Sequence, residues 1–171
     1  MKKSENLPQG KKVFVGPSKI HGLGIITKRN IKRGEIVYII KGKVVKWKVK
    51  DLKSSLYGPN WIGYGKDSWI DPSGFSIYLN HSSNPNCGVK GRVTVRAMRD
   101  IKTGEEITVD YSIIEGDSIW YMEDINGNHK RKLIRGIQFL PTQTYKKYLP
   151  YIPKHFQKVY NNHHKLNKRN G

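Results

Sequence analysis

The chain has 171 residues, a single cysteine and a strongly basic composition. Its length is that of one ordinary domain, which buries roughly 70% of the surface that the unfolded chain exposes and can enclose a ligand pocket. One cysteine excludes an internal disulfide and indicates a reducing setting. The first twelve residues lack the apolar stretch of a secretory signal, and no apolar run approaches the roughly 20 residues of a membrane span. Composition therefore predicts a soluble intracellular protein.

The charge is lopsided. Lysine and arginine total 32 against 13 acidic residues, which gives a formal net charge of +19. A surface of this kind attracts polyanions, because each neutralised phosphate releases counterions. An AT-rich genome would also enrich lysine, but codon bias does not explain the scarcity of acids. Non-specific contact with DNA or a nucleosome is therefore one of two open interpretations of the charge.

The N-terminal half is predicted to consist of short strands between tight turns. Residues 1–11 form a polar, lysine-bearing tail with the composition of a flexible segment. The segments 13–15, 24–27 and 36–45 are rich in β-branched and other apolar residues, and glycine-containing turns such as 32–35 separate them. This pattern favours strands.

The C-terminal half continues in the same way before it becomes helical. Apolar residues alternate over 93–97 and again over 107–109, which predicts two half-buried strands. Pro153 is well placed as the first residue of a helix that runs on through Tyr160. No internal repeat is recognisable.

Three segments in a fixed order are the most informative feature of the chain. Residues 18–35 contain H-G-L-G and then I-K-R-G-E, residues 78–87 read Y-L-N-H-S-S-N-P-N-C, and residues 99–111 read R-D-I-K-T-G-E-E-I-T-V-D-Y. Together they resemble the signature segments of SET-domain protein-lysine methyltransferases. The resemblance covers about residues 12–137 and is degenerate beyond residue 112.

The resemblance implies a mainly β protein with the SET-domain fold: several small twisted sheets, a pseudo-knot in which a later strand threads the N-H-x-x-x-P-N loop, and a C-terminal helical extension. It also implies boundaries within the chain. These are a basic flexible tail at 1–11, a SET domain at 12–112, a degenerate post-SET segment without zinc ligands at 113–137, and the helical extension at 138–171.

S-adenosylmethionine is the cofactor that the resemblance implies. In the family, the glycine loop lays its backbone against the methionine end of the cofactor, although G-x-G alone is a weak signal that a hairpin turn would also give. Asn80 offers a side-chain amide and His81 a backbone edge to the amino acid and adenine ends. Trp120 suits either a cap over the cofactor or packing in the core. The residues predicted to contact the cofactor are His21, Gly22, Leu23, Gly24, Tyr78, Asn80, His81, Tyr111 and Trp120.

Tyr111 is the residue predicted to be catalytic. The implied reaction moves a methyl group from a sulfonium to a lysine amine, which must arrive neutral. A free lysine has a pKa of about 10.4, so an apolar channel helps by disfavouring the ammonium. Tyr111 would place its hydroxyl beside the methyl group and the amine and help to exclude water. Tyr64, Val109 and Tyr111 are predicted to line the substrate channel, with Val109 either widening it or acting as a buried strand residue.

The chain departs from the family in its post-SET segment. Many relatives bind zinc there through one cysteine in the N-H loop and three more downstream. Here Ser83, Asp124, Asn126 and Lys130 occupy those positions, so no metal is predicted. Apolar and aromatic side chains between residues 120 and 151 are expected to hold this segment against the core instead.

The resemblance implies a protein-lysine N-methyltransferase that acts on histones or another chromatin-associated protein. Two alternatives stay open, namely a catalytically inactive SET-like module that binds nucleic acid or chromatin, and a methyltransferase for a non-histone protein. The expected partners are a protein bearing the target lysine and, non-specifically, DNA, with no membrane. The location would be the nucleus in a eukaryotic or virus-infected cell and otherwise the cytoplasm. Aromatic residues of the segment 52–69 would line a peptide groove or a core; they are Tyr57, Trp61, Tyr64 and Trp69.

Overall fold

The computed structural model describes residues 10–46, 61–65, 67–118, 120–125 and 131–167, in which short strands alternate with tight turns. Its twelve strands are β1 (Val13–Pro17), β2 (Leu23–Thr27), β3 (Ile36–Ile39), β4 (Lys41–Lys46), β5 (Ile62–Gly65), β6 (Ser68–Ser73), β7 (Asn80–His81), β8 (Cys87–Lys90), β9 (Thr94–Ala97), β10 (Glu106–Val109), β11 (Tyr121–Ile125) and β12 (Arg131–Arg135). The α-helices are α1 (Thr142–Tyr148) and α2 (Lys154–Asn167), and 3-10 turns lie at Gly74–Tyr78, Tyr111–Ile114, Ile137–Phe139 and Leu149–Tyr151.

The strands form several small sheets. The first has the order β1-β2-β10-β7 and is antiparallel except for the parallel pair of β10 and β7. Two antiparallel sheets of three strands have the orders β3-β9-β8 and β4-β6-β5, and β11 pairs with β12. The prediction of a mainly β protein with several small sheets and a C-terminal helical region is confirmed.

One predicted strand is in fact two. β3 ends at Ile39 and β4 begins at Lys41, and the two strands belong to different sheets. The chain changes sheets at Ile40, whose N–H donates to the Val93 carbonyl at 2.8 Å, whereas the Lys41 N–H donates to Ser76 Oγ at 3.2 Å. The prediction of a single strand over 36–45 is therefore wrong, because the apolar pattern runs unbroken across a residue that is buried where two sheets meet.

Two turns of similar sequence lie against each other. Residues 29–35 read R-N-I-K-R-G-E and residues 99–105 read R-D-I-K-T-G-E. Ile31 and Ile101 exchange both backbone hydrogen bonds, each 2.8 Å long. The similarity is short and lies in turns, and it was not recognised as an internal repeat from the sequence.

The core is mainly aliphatic and lies between the sheets. Cys87 belongs to it, and burial raises the pKa of its thiol well above the usual range, so this cysteine packs as a small apolar residue. The other residues with almost no exposed surface include Ile25, Ile31, Val95, Ile101, Ile107, Val109, Ile113 and Ile137.

The C-terminal helices pack on each other and on the sheets. Tyr145 of α1 and Tyr160 of α2 stack with ring centroids 3.7 Å apart and an interplanar angle of 5°. Phe156 of α2 lies against two glycines, because a Cβ atom on Gly63 would come within 2.7 Å of the ring and one on Gly116 within 3.0 Å. α2 is thereby fixed both to β5 and to the segment that follows Tyr111.

The predicted helix after Pro153 is present, but α2 begins at Lys154, one residue later than predicted, and the Pro153 carbonyl accepts the Phe156 and Gln157 N–H groups. Within the described residues, no helix combines the length and the apolar composition that crossing a membrane requires.

Candidate active site

The glycine loop, residues 21–24, runs into the start of β2 and needs glycine for two different reasons. Gly22 has φ +49°, in the left-handed region, and a Cβ atom there would meet nothing within 4 Å. Gly24 instead lies against the side chain of Glu106, whose Cδ would be 2.6 Å from a Cβ atom on the glycine. His21 and Gly22 are exposed. The loop thus presents bare backbone to solvent on one side and is pressed against a carboxylate on the other.

Asn80 joins this loop to the neighbouring strands. Its Nδ2 lies 3.0 Å from the Leu23 carbonyl, 3.2 Å from the His21 carbonyl, 3.2 Å from Ser18 Oγ and 2.7 Å from Glu106 Oε1. Three of these four oxygens, the two carbonyls and the carboxylate, can only accept, and the Ser18 hydroxyl donates to Glu106, so the nitrogen of the amide faces them. Oδ1 of Asn80 therefore points away from the group that holds the loop.

Glu106 is a site residue that the sequence analysis missed. Both of its carboxylate oxygens accept from the Ser18 hydroxyl, at 2.9 and 2.8 Å, and one also accepts from Asn80. Ser18 Oγ in turn accepts the N–H groups of Ile20 and His21 at 2.8 and 3.1 Å. The sequence signal that could have identified it is a carboxylate at the start of an apolar strand. An unpaired charge is unfavourable there, so such a residue is expected to have a bonding partner.

His81 is buried, and its ring supports the backbone of the next segment. Nδ1 accepts the Tyr111 N–H at 3.1 Å, so this nitrogen carries no proton. The ring proton is then on Nε2, which lies 3.5 Å from Ser83 Oγ. Asp110 Oδ1 lies 4.0 Å from Nδ1. The side chain of His81 is thus used inside the protein, in contacts with the next segment.

Tyr111 is held at both ends. Its N–H is bonded to His81, and its hydroxyl donates to the Leu79 carbonyl. The two rings meet edge to face with centroids 5.3 Å apart. Burial, with a smaller contribution from the negative charge of Glu106, raises the pKa of Tyr111 to about 12. At neutral pH the phenol is therefore protonated and acts as a hydrogen-bond donor.

The turn that begins at Tyr111 is capped by the preceding residue. Oδ1 of Asp110 accepts both the N–H and the hydroxyl of Ser112, at 3.0 and 2.7 Å. Both side chains are buried. This cap forces the chain to turn directly after β10, so that the Tyr111 ring lies back against β7.

The N-H-x-x-x-P-N loop grips β10 at two places. β7 pairs with it in parallel, with Asn80 opposite Thr108 and His81 opposite Val109. Farther along the loop, the Asn86 amide donates to the Glu106 carbonyl at 2.7 Å and accepts the Thr108 N–H at 2.9 Å. These bonds hold the loop close to β10, and the threading of a pseudo-knot stays a prediction.

The other predicted site residues are less closely connected. Val109 is 0% exposed and belongs to the core. Tyr64 is half-buried with the Arg92 guanidinium 4.8 Å from its ring centroid, and Tyr78 and Trp120 are also half-buried. Among the described residues, no hydrogen bond or ring contact joins Tyr64, Tyr78 or Trp120 to Tyr111.

The aromatic segment and the former zinc positions are only partly described. Trp61 and Trp69 have ring centroids 6.5 Å apart, and Trp69 is buried. Tyr57, Asn126 and Lys130 lie outside the described residues. In the described part of the chain, no group of three or more His, Cys, Asp or Glu side chains is placed to hold a metal ion.

The apolar residues expected to hold the post-SET segment divide into two groups. Leu133, Phe139 and Leu149 are exposed, with the Arg135 guanidinium 3.5 Å from the Phe139 ring centroid. The buried ones are Ile134, Ile137, Leu140, Tyr145 and Tyr148.

A cavity of about 290 Å³ adjoins the N-H loop. Its lining includes Ser83 and Asp110, Arg135 from β12, and Lys147 and Tyr148 from α1. The C-terminal elements therefore form a wall of this cavity opposite Ser83 and Asp110.

Fold and site together define a β protein in which a glycine loop, an asparagine-histidine loop and a half-buried tyrosine converge on one strand. The sequence profile of the SET domain matches residues 22–112, more than half of the 171 residues, and the chain belongs to the SET domain family. β1 lies before the matched residues but pairs along its whole length with β2.

Curated relatives carry histone methyltransferase names. The chain is 31% identical over 121 residues to the histone-lysine N-methyltransferase, H3 lysine-4 specific, of Schizosaccharomyces pombe, covering 61% of this chain and 13% of that protein. It is 34% identical over 114 residues to human histone-lysine N-methyltransferase 2B, covering 58% of this chain and 4% of that protein. The chain thus spans a small fraction of the length of these relatives.

A crystal structure of a candidate histone methyltransferase of Plasmodium falciparum superposes with a TM-score of 0.49 and 26% identity, covering 60% of this chain and 95% of that chain.

Proposed function

We propose that this chain is a protein-lysine N-methyltransferase that uses S-adenosylmethionine. The observation that carries the proposal is the position of Tyr111, whose protonated hydroxyl is held on the Leu79 carbonyl beside His81. Asn80 connects the glycine loop to Glu106 of β10, the strand that ends two residues before Tyr111. A fixed phenol next to a loop of bare backbone suits transfer of a small group between two bound molecules.

The residues present fit the cofactor. The exposed backbone around Gly22 offers close approach to a ligand, and Oδ1 of Asn80, directed away from the loop's own bonds, would accept from the cofactor's ammonium group. The backbone edge of His81 would serve the adenine end. Bound there, S-adenosylmethionine would supply an electrophilic methyl group on a sulfonium.

The chain's own contribution is orientation and exclusion of water. Because its pKa is raised to about 12, Tyr111 cannot act as a phenolate base at neutral pH. Its hydroxyl donates to Leu79, so its lone pairs are left to orient the incoming amine. In the proposed channel, the fully buried Val109 would provide an apolar lining, which would disfavour an ammonium and favour the neutral amine that must attack.

For the substrate we propose a histone or another chromatin-associated protein, and for the location the nucleus if the host is eukaryotic. The names of the relatives support this choice. The domain boundaries at 12–112, 113–137 and 138–171 are part of the same proposal.

A second candidate is a SET-like module that binds nucleic acid without catalysing transfer, which the net charge of +19 favours. Such a module would bind duplex DNA regardless of sequence, with affinity falling steeply between about 50 and 200 mM salt. A protein that binds DNA in this way and transfers no methyl group would favour the second candidate over the first. A methyltransferase for a non-histone protein would transfer methyl groups but leave histones unlabelled.

The deciding experiment measures transfer of labelled methyl from S-adenosylmethionine to histones and to nucleoid proteins. Tyr111→Phe should lower turnover by orders of magnitude and change cofactor affinity little, because the hydroxyl matters mainly near the transition state. Tyr121→Phe is the matched control, since that tyrosine is 65% exposed on β11. Equal turnover of wild type and Tyr111→Phe would refute the catalytic role of Tyr111.

A further inference from the structure

A second and larger cavity, of about 630 Å³, lies between β6, the segment 115–118 and α2. The aromatic rings of Trp69 and Phe156 form part of its walls. The described residues that line it include none of the glycine loop and none of Asn80, His81 and Tyr111. It is a separate cavity. Glu115, the lining residue nearest to Tyr111 in sequence, follows that tyrosine by four positions.

Acidic groups are concentrated in this cavity. Asp67, Glu115 and Asp117 line it, although the whole chain has only 13 acidic residues and a net charge of +19. Lys158 is the one lysine or arginine among the described residues that line the cavity. The balance of full charges there is therefore negative, against the sign of the rest of the protein.

Two histidines also line the cavity. Burial, aided by the positive charge of Arg92, lowers the pKa of His155 to about 4. This side chain is therefore uncharged at neutral pH and does not offset the acids. His163 packs edge to face on Phe139, with ring centroids 5.4 Å apart.

Glu115 is rigidly held with its carboxylate inside the protein. Its Oε2 accepts from the Trp69 indole at 3.0 Å and its Oε1 accepts the Asp117 N–H at 2.8 Å. The residue is only 5% exposed, and burial raises the pKa of the carboxyl. A buried carboxylate of this kind gains most from a cationic partner.

Gln138 supplies independent evidence that the cavity binds a ligand. It lines the cavity, is 4% exposed, and its Oε1 accepts no hydrogen bond from any described residue. Around Gly136, a Cβ atom would meet three oxygens: Asp117 O at 2.6 Å, Gln138 Oε1 at 3.1 Å and Glu115 O at 3.2 Å. A buried acceptor without a donor is unfavourable, and a ligand with several N–H groups would relieve it.

We infer that this cavity binds an arginine side chain of the polypeptide substrate, at a residue near the target lysine. A guanidinium presents five N–H donors in a plane, which suits the carboxylate of Glu115 and the carbonyl oxygen of Gln138, and it stacks on aromatic rings such as Trp69.

The short distance along the chain from Tyr111 to Glu115 favours a ligand that is part of the substrate. Four residues of extended chain span at most about 14 Å, so a peptide whose lysine reaches Tyr111 can place another residue at Glu115. The pocket also explains how a basic protein holds a basic tail, because the local acids offset the repulsion from the surface. The inference rests on the proposed function in one respect only, namely that the bound polypeptide is the substrate of methyl transfer.

The test measures binding, so that it does not depend on methyl transfer. A fluorescent peptide carrying one arginine and one lysine separated by three alanines is compared with the same peptide carrying uncharged citrulline. We expect the arginine peptide to bind about tenfold more tightly by anisotropy, the size of one good charge-assisted contact. Glu115→Gln and Gln138→Leu should remove most of this preference. Asp71→Asn, an exposed acid on β6 outside the cavity, should leave it unchanged.

Lys158→Met distinguishes a specific loss of affinity from misfolding. Removing the cavity's own cation should strengthen binding of the arginine peptide, whereas misfolding would weaken it. Equal affinities for the two peptides, or full preference retained in folded Glu115→Gln, would overturn the inference. The two proposals fail separately: arginine preference without methyl transfer refutes only the enzyme, and transfer to both peptides with equal KM refutes only the pocket.

Discussion

The side-chain amide of Asn80 and the carboxylate of Glu106 lie 2.7 Å apart and together fasten the glycine loop to β10. Asn80 donates to carbonyls on the loop, and Glu106 holds Ser18, the residue from which the loop starts. The expected methionine end of the proposed cofactor site thus lies next to a half-buried charged residue. The geometry of the loop should therefore depend on Glu106 as much as on the glycines.

Replacing Glu106 by Gln should weaken binding of S-adenosylmethionine about tenfold, because one acceptor oxygen then stands in place of two and the negative charge that strengthens the bonds from Ser18 and Asn80 is lost. Isothermal titration calorimetry measures this affinity. Glu105→Gln is the matched control: it is the neighbouring acid, but its partner Arg99 is half-exposed, and such surface pairs contribute little. Similar effects of the two substitutions would show that the loop does not depend on Glu106.

Replacing Val109 by Tyr should have two effects. If Val109 borders the channel, the larger ring narrows it and the products shift toward monomethyl-lysine, which mass spectrometry of the product detects. Because Val109 is fully buried, overpacking should also lower the free energy of unfolding by about 1–3 kcal/mol. Destabilisation with unchanged products would assign Val109 to the core alone.

Replacing Phe156 by Ala should destabilise the protein by about 3–5 kcal/mol, because the ring is 2% exposed and fills the space above Gly63 and Gly116. Urea denaturation measures the change. Phe139→Ala, at a position 37% exposed, should have a clearly smaller effect. An equally small effect of Phe156→Ala would mean that α2 is not fixed to the SET domain through this ring.

His155 should make stability depend on pH. Its pKa is about 4 in the folded protein, against an ordinary value of 6.5, so the unfolded chain takes up a proton first as the pH falls. Stability should therefore decrease from about pH 6.5 to about pH 4, and His155→Gln should remove part of that decrease.

Thermal melts at pH 7, 5.5 and 4 measure this effect, with exposed His21→Gln as the control. The acid Glu35 acts in a different window: hydrogen bonds from Arg29 and Lys12 lower its pKa to about 2, so its contribution disappears only as the pH falls from 4.5 through 2. Identical pH profiles of wild type and His155→Gln would contradict the assignment to His155.

The sequence by itself determined the family and the class of fold, and it supplied the residues on which the proposed site rests. Short segments such as N-H-x-x-x-P-N are specific because their residues make particular local contacts. Asn86 binds the backbone of β10, and His81 accepts the Tyr111 N–H. Strands such as β9 and β10 were predictable because alternation of apolar residues records which face of a strand is buried. Both kinds of information lie within a few consecutive residues.

Only the tertiary structure decided which distant residues meet. Glu106 lies against Gly24, and Phe156 lies between Gly63 and Gly116, because the sheets bring together segments that are far apart in the chain. The chain's change of sheet at Ile40 was hidden for the same reason, since burial there comes from two sheets at once. The periodicity of apolar residues shows which side chains are buried. Their contact partners are selected by packing between elements, and a local pattern does not contain that information.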